Sequence, residues 1–503
     1  MTLPISQADS KLISDAIEKL RSFCQVNIQP NWRYFEADLT VADAIALDFS
    51  DWNLAQLNDK GHIGWTGGQK VLWLLQKFAI PHDLQGYPLQ GLSLRLALTW
   101  WADSAQVYVN GTLAVEGDLF DSSPRVLLSS MVTPGDEFTV AVRLVSPGHC
   151  DGALVRSLLV YESGDGSKPE PGFVADELAV VRCYLEVFEP ERLGVLAGFV
   201  AGVDWESLNR RGAEDGFEGT LDCLRRKLLE SNFFEVRSKI CLVGHAHLDL
   251  AWLWCVDETW RAAQNTFESV VGLRDDFPEL IFCHSTPVLY AWVEEHRPDL
   301  FCAIQQAVGA GWWEVVGGFW VEPDLNLIAG ESIVRQLLYG QRYVLEKFGK
   351  LCSVVLVPDS FGFCATLPQF LVNAGVEYFV TQKLRWNDTT RFEYGAFWWR
   401  SPDGSEVFSL MSALIGEGID PVKMASYACE WQSQTGLFES LWLPGVGDHG
   451  GGPTRDMLAT ARRWQNSPLF PDIEFSTTEN YLQSIKTKQL SDKNSSPYPP
   501  LSP

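Results

Sequence analysis

The amino-acid sequence predicts an α/β protein: a barrel of about seven strand–helix units behind an all-β sandwich and a helical connector. Three observations predict it. From Lys239 onward, short apolar runs (KICLVG, LIFC, WWEVVGG, SVVLVP, EYFVTQ, LWLPGVG, IEFST) alternate with amphipathic stretches such as PVLYAWVEEHRPDLFCAIQQAVGAG and ESIVRQLLYGQRYVLEKFG. Strands that are apolar on both faces belong to a parallel sheet covered on both sides. About seven units over 250 residues suit a barrel better than a doubly wound sheet, the alternative. Residues 35–165 carry a two-residue period instead, with Pro and Gly about every ten residues, as in a sandwich. Residues 173–235 return to a helical period, with Leu221, Leu224, Leu228 and Leu229 opposite Arg225, Arg226 and Lys227.

Taken in order, residues 1–34 begin with an amphipathic helix whose apolar stripe is Leu12, Ile13, Ala16, Ile17, Leu20 and Phe23. Residues 35–165 form the β-sandwich. Within it QVYVNGTLAVEGD is a hairpin, because Val107 and Val109 alternate with polar neighbours and Asn110-Gly111 supplies the positive φ of a tight turn. SGDGSKPEPG, residues 163–172, opens the linker and helical connector of residues 166–235. The barrel occupies residues 236–486, and residues 487–503, polar and Pro-rich, are expected to be disordered. There is no internal repeat.

A chain of 503 residues is long enough for roughly three domains and a large core. Its net charge of −25 repels phosphate backbones and anionic lipid, which argues against nucleic-acid and membrane-surface partners. Neutral substrates, or substrates held through a bound cation, fit better. Eleven cysteines without a CxxC motif indicate reduced, cytoplasmic usage. The first twenty residues carry neither the basic nor the apolar region of a signal peptide. The longest apolar run, residues 193–203, is far short of the ~20 residues a membrane helix needs. Twenty tryptophans are compatible with rings stacked on sugars, although composition alone favours a Trp-rich core.

In parallel α/β folds, chemistry sits where strands end. The residues following each strand here are His245-Ala-His247-Leu-Asp249, then His284, then Glu322 and Asp324, then Asp359, then Asp448-His449. Four of the chain's eight histidines fall on this one rim. His247 and Asp249, two apart on an extended strand end, point the same way and suit Zn²⁺ or a similar divalent ion. The alternative is a pair of buried, hydrogen-bonded histidines, and His245 fits a role beside the metal as well as ligation. Asp359, in PDSFG, suits a metal ligand, a nucleophile or the N-cap of the helix beginning at LPQFLVNAGV. Asp448 opens the Gly-rich loop DHGGGP, which matches neither phosphate-binding glycine pattern. Trp252 suits the floor of a sugar site, and Trp254 suits core packing.

The segments GHAHLDLAWLW, GGFWVEPDLNLIAGESIVRQLLYGQRY, VPDSFGFCATLPQFLVNAGVEYFVTQKLRWN, FWWRSPDGSEV and GVGDHGGGPT resemble the family 38 glycoside hydrolases, the class II α-mannosidases, most nearly their cytosolic and bacterial branch. The resemblance covers about residues 236–486. It implies a (β/α)7 barrel with one Zn²⁺, for which Co²⁺ or Mn²⁺ are substitutes, and a retaining, exo-acting α-mannosidase. By the same resemblance His247, Asp249 and Asp359 bind the metal, Asp359 is also the nucleophile, and Trp252 stacks under the terminal sugar. Asp448 becomes the acid/base candidate, and Lys383 and Trp320 further substrate-binding candidates. The chemistry agrees: a retaining glycosidase needs one ionised and one protonated carboxyl group about 5 Å apart.

Family members are about twice as long, and their fourth metal ligand is a histidine in a motif like ELYLEFHRG, which this sequence lacks. His449 is the substitute nearest in sequence. A chain that is the N-terminal portion of the enzyme follows as an expectation. The implied partners are mannosides and other oligosaccharides, a separate C-terminal chain, and further copies of this chain. Two other readings stand beside this one: a catalytically incomplete mannoside-binding subunit, and an HxH metal-dependent amidohydrolase in which His284 adds a ligand.

Overall fold

The computed structural model describes residues 7–47, 51–118, 122–148, 150–163, 170–209, 214–234, 238–252, 254–447 and 451–491. The chain divides into two compact units, residues 1–233 and 234–503. The fold is mixed α/β, antiparallel in the first unit and largely parallel in the second.

Among the described residues, the first unit contains a two-stranded antiparallel sheet of Asp83–Leu84 and Tyr87–Pro88 and two large antiparallel sheets. In one, strand Gly152–Glu162 lies between Gln25–Asn27 and Ser93–Trp101, and Arg125–Ser129 forms the far edge. In the other, the order is Thr112–Gly117, Ser104–Val109, Glu137–Val145, Val71–Ala79, Arg33–Phe35 and Asn53–Leu54. The NG hairpin forms, with Asn110 at φ 49° and Gly111 at φ 82°. Alternation decides the faces: Leu72, Leu74, Val107, Val140 and Val142 are buried on one side of this sheet. Trp73, Leu75, Tyr108 and Ala141 pack on the other side against Ala44 and Trp52.

Helix Gln7–Ser22 buries Ile13, Ala16, Ile17 and Leu20 and leaves Leu12 exposed. It ends at residue 22 because residues 25–27 pair with Gly152–Glu162. The helices Pro171–Phe188, Leu193–Ala201 and Glu214–Glu230 belong to this same unit. Arg21 of the first helix is bonded to Asp176, and Arg225 to the buried Glu177. Residues 164–169 of the expected linker lie outside the described residues.

The second unit carries the strand–helix alternation. Lys239–Leu242 runs parallel to both Glu439–Trp442 and Asp472–Phe475. Gly244–His245 continues it and pairs with Phe282–His284, which pairs with Trp313–Val315. Val354–Leu356, Tyr378–Thr381 and Glu406–Met411 form a third parallel set. Gly317 N–H donates to the Val354 carbonyl at 2.9 Å, which carries the hydrogen bonding from the second set into the third. Strands that share a direction bring their C-terminal ends to one rim.

The barrel expectation is met only in part. Among the described residues no ladder joins Glu406–Met411 to Glu439–Trp442, and the sheets do not close. The physical reason is a hairpin that the strand pattern passed over. Ala396–Arg400 turns through Pro402-Asp403-Gly404 and pairs antiparallel with Glu406–Met411, taking the edge that closure would need.

Helix Gly330–Phe348 is one piece, whereas Arg297-Pro298 breaks the other long helical stretch into Pro287–His296 and Pro298–Gly309. One core cluster centres on Phe267, Phe282, Tyr290 and Trp313, and a second on Phe319, Leu337, Val355 and Phe379. Glu314, buried within a strand, accepts the N–H groups of Thr478 and Glu479 and so caps helix Thr478–Ser491. That helix continues past residue 487, where the tail was expected to begin; residues 492–503 lie outside the described set.

Candidate metal centre and active site

His247 and Asp249 leave the end of Gly244–His245, and Asp359 leaves the end of Val354–Leu356. Asp359 is more than 100 positions from the other two, yet each of the three offers a ligand atom within 4.8 Å of the others. His247 is buried and the two aspartates are half-buried. The cap alternative for Asp359 falls away, because Thr366 precedes the first turn of helix Leu367–Asn373.

Two glycines fix the loops. Gly362 has φ 155°, where a side chain would be strained, and a Cβ there would stand 2.0 Å from Asn326 Nδ2, so the PDSFG loop lies directly on the VEPDLN loop and a larger residue would displace the Asn326 side chain. A Cβ on Gly445 would stand 2.1 Å from the His245 carbonyl oxygen, so the loop after Glu439–Trp442 lies directly on the HxHxD strand.

The electrostatics separate the histidines. Burial, aided by the neighbouring His247, pushes His245 down to about 3, and its Nδ1 lies 3.2 Å from the Cys283 carbonyl. Burial also pushes His284 well down, and its ring packs among Phe267, Phe282 and Tyr290. Burial disfavours charge on His247 too, but the carboxylates of Asp249, Glu322 and Asp359 prevail and raise it to about 9. Asp249 Oδ1 stands 3.5 Å from His247 Nε2, and Glu322 Oε2 stands 3.6 Å from Nδ1.

Among the described residues, His247 Nε2 and Glu322 Oε2 are buried without a hydrogen-bond partner. An orphaned imidazole nitrogen facing two carboxylates is the donor set of a divalent cation of the zinc type, so the residues present fit such an ion. His284 lies outside the converging group, which removes the ligand that the amidohydrolase reading required.

The Asp359 carboxylate also receives Lys383, whose Nζ lies 2.5 Å from Oδ1. Lys383 is buried, and its ammonium sits 3.5 Å from the Trp386 ring centroid and 4.1 Å from that of Phe361. Phe361 and Trp386 are 72% and 61% exposed and stand edge to face. They form an open aromatic surface beside the carboxylate that sequence reasoning missed. The signal was available, since each follows a candidate residue by two or three positions. Trp252 is 49% exposed at 5.9 Å from Trp254, whose indole N–H donates to Thr259. Trp320 instead packs edge to face on Tyr343, and no described contact joins it to the three converging residues. Asp448 and His449 lie outside the described residues.

An imidazole–carboxylate cluster on the strand-end rim of an α/β sheet defines a candidate metal centre. Comparison with known proteins makes the assignment specific. Residues 237–500 match the glycosyl hydrolases family 38 N-terminal domain, and the chain belongs to that family. It is 33% identical over 272 residues to alpha-mannosidase G of Dictyostelium discoideum, covering 54% of this chain and 25% of that protein. It is 35% identical to human alpha-mannosidase 2C1, covering 52% of this chain and 26% of that one, and 34% identical to the alpha-mannosidase of Saccharomyces cerevisiae, covering 50% and 24%. The matched region thus spans about a quarter of these relatives' length. Among solved structures, an alpha-mannosidase from Enterococcus faecalis V583 aligns with a TM-score of 0.42 at 23% identity, over 50% of this chain and 30% of that one.

Proposed function

We propose that this chain is a metal-dependent, retaining, exo-acting α-mannosidase, or the N-terminal portion of one, built on an open form of the (β/α)7-type barrel. The observation that carries the reading is the convergence of His247, Asp249 and Asp359. These three would hold the divalent ion, Zn²⁺ by donor chemistry, with Co²⁺ or Mn²⁺ as substitutes. When bound, the ion supplies Lewis-acid polarisation and a chelating site for sugar hydroxyls.

The chain's own residues do the rest. Asp359 is the nucleophile, and the Lys383 ammonium pairs with its Oδ1. Trp252, with Phe361 and Trp386, offers rings on which the apolar face of a mannose ring stacks. Asp448 is the acid/base candidate that protonates the leaving oxygen. Lys383 acts on Asp359 rather than on the sugar in this reading, and Trp320, edge to face with Tyr343, stays a substrate-binding candidate.

A neutral oligosaccharide suits a chain of charge −25. Eleven free cysteines support a cytoplasmic setting, and among the described residues no helix is long and apolar enough to cross a membrane.

Purified protein loaded with Zn²⁺ is expected to hydrolyse an aryl α-mannoside with retention, and Asp359→Asn to abolish turnover. Persistence of turnover in that variant would overturn the nucleophile assignment. The limited coverage of the relatives favours a second reading, a mannoside-binding subunit. It predicts mannoside binding by calorimetry with no product.

A further inference from the structure

We infer that Glu322 is a positioning residue that ties the Asp359 loop to the His247 imidazole and thereby sets the affinity of the metal centre. The inference rests on the metal-centre reading above and adds a residue outside the converging ligand set. Glu322 follows strand Trp313–Val315, on the VEPDLN segment.

Its two oxygens do different work. Oε1 accepts the main-chain N–H groups of Asp359 and Ser360, at 2.7 and 2.8 Å. Oε2 is buried, has no hydrogen-bond partner among the described residues, and faces His247 Nδ1 at 3.6 Å. Ser360 Oγ closes a further link by donating to the Pro323 carbonyl at 2.6 Å. The two loops are therefore held to each other through one carboxylate and one hydroxyl.

The chemistry of that carboxylate bears on the metal. A carboxylate only accepts, so Glu322 favours retention of the proton on Nδ1 and leaves Nε2 as the nitrogen that exchanges its proton for an ion. Nε2 is the nitrogen beside Asp249. The same group fixes the main chain that carries Asp359. One side chain thus orients a ligand from each of two distant segments, as metal sites generally require of the residues behind their ligands.

Glu322→Gln separates the two jobs. An amide oxygen still accepts both N–H groups, but the amide nitrogen presents a donor to Nδ1 and favours the opposite tautomer. Zn²⁺ affinity is read by competition with a chromophoric chelator, and the melting temperature of the metal-free protein checks the fold. The visible spectrum of the Co²⁺-loaded protein reports coordination. Glu322→Gln is expected to lose about 10- to 100-fold in Zn²⁺ affinity and to alter the Co²⁺ bands, with the metal-free melting temperature little changed. Glu322→Asp keeps the acceptor-only group and is expected to bind more tightly than Glu322→Gln. Wild-type affinity in Glu322→Gln, or equal affinities in the Gln and Asp variants, would overturn the inference while leaving the metal centre standing. Absence of Zn²⁺ binding in the wild-type protein would overturn both.

Discussion

Lys383 places its ammonium on Asp359 Oδ1 at 2.5 Å and beneath two aromatic rings, with its own side chain 3% exposed and that of Asp359 29%. Removing it leaves a half-buried carboxylate without its cation. Lys383→Met is expected to destabilise the protein by about 1–3 kcal/mol in urea titration, the lower part of the range for a buried pair because Asp359 is partly solvated. The variant is also expected to lower kcat on an aryl α-mannoside. His247 supports a pH prediction. Its pKa of about 9 means that at neutral pH a proton must leave before Nε2 can bind an ion. Apparent Zn²⁺ affinity should therefore rise by about tenfold per pH unit towards pH 9 and then level, with proton release on binding. Titration in buffers of differing ionisation enthalpy checks both. Several of these residues were legible from position alone, because His247, Asp249 and Asp359 each follow an apolar run. Glu322 stood in the same series, yet its role was not legible, since which oxygen meets which loop depends on contacts across 37 residues. Trp320 was made a substrate candidate by its motif, and the structure shows its ring edge to face with Tyr343.

Among elements, the strand ends and their glycines govern the site. Gly445→Ala would force a Cβ to 2.1 Å from the His245 carbonyl oxygen, with main chain on both sides. We expect a loss of about 1–3 kcal/mol from overpacking, measured by thermal denaturation, together with weaker metal binding because the HxHxD strand must shift. Strands read from apolar runs all formed, since a short run without polar positions has little choice in a sheet buried on both faces. The hairpin Ala396–Arg400 to Glu406–Met411 escaped that reading because one strand pairs antiparallel at an edge and the other is parallel inside. Its Pro-Asp-Gly turn was the signal to weigh. Helix gives way to strand within residues 1–34 for a comparable reason: past Ser22, residues 25–27 find a pairing partner more than 120 positions away.

For the molecule as a whole, a bound ion is linked to stability. An ion that binds only the folded chain adds RT ln(1 + [L]/Kd), about 2.7 kcal/mol at a hundred times Kd. Chelation is therefore expected to lower the melting temperature and Zn²⁺ to restore it, while Asp249→Asn and Asp359→Asn abolish the response. The sequence by itself determined the alternation of apolar strands and amphipathic helices, the antiparallel region before it, and the family motifs along residues 237–500. These are local properties, set by periodicity and by residue types at fixed spacing. Only the tertiary structure decided that two distant segments bring His247, Asp249 and Asp359 within 4.8 Å, that Lys383 and Glu322 stand against them, and that His284 stays in an aromatic core. Such contacts depend on how strand ends converge in space, and no spacing along the chain encodes the distance between them.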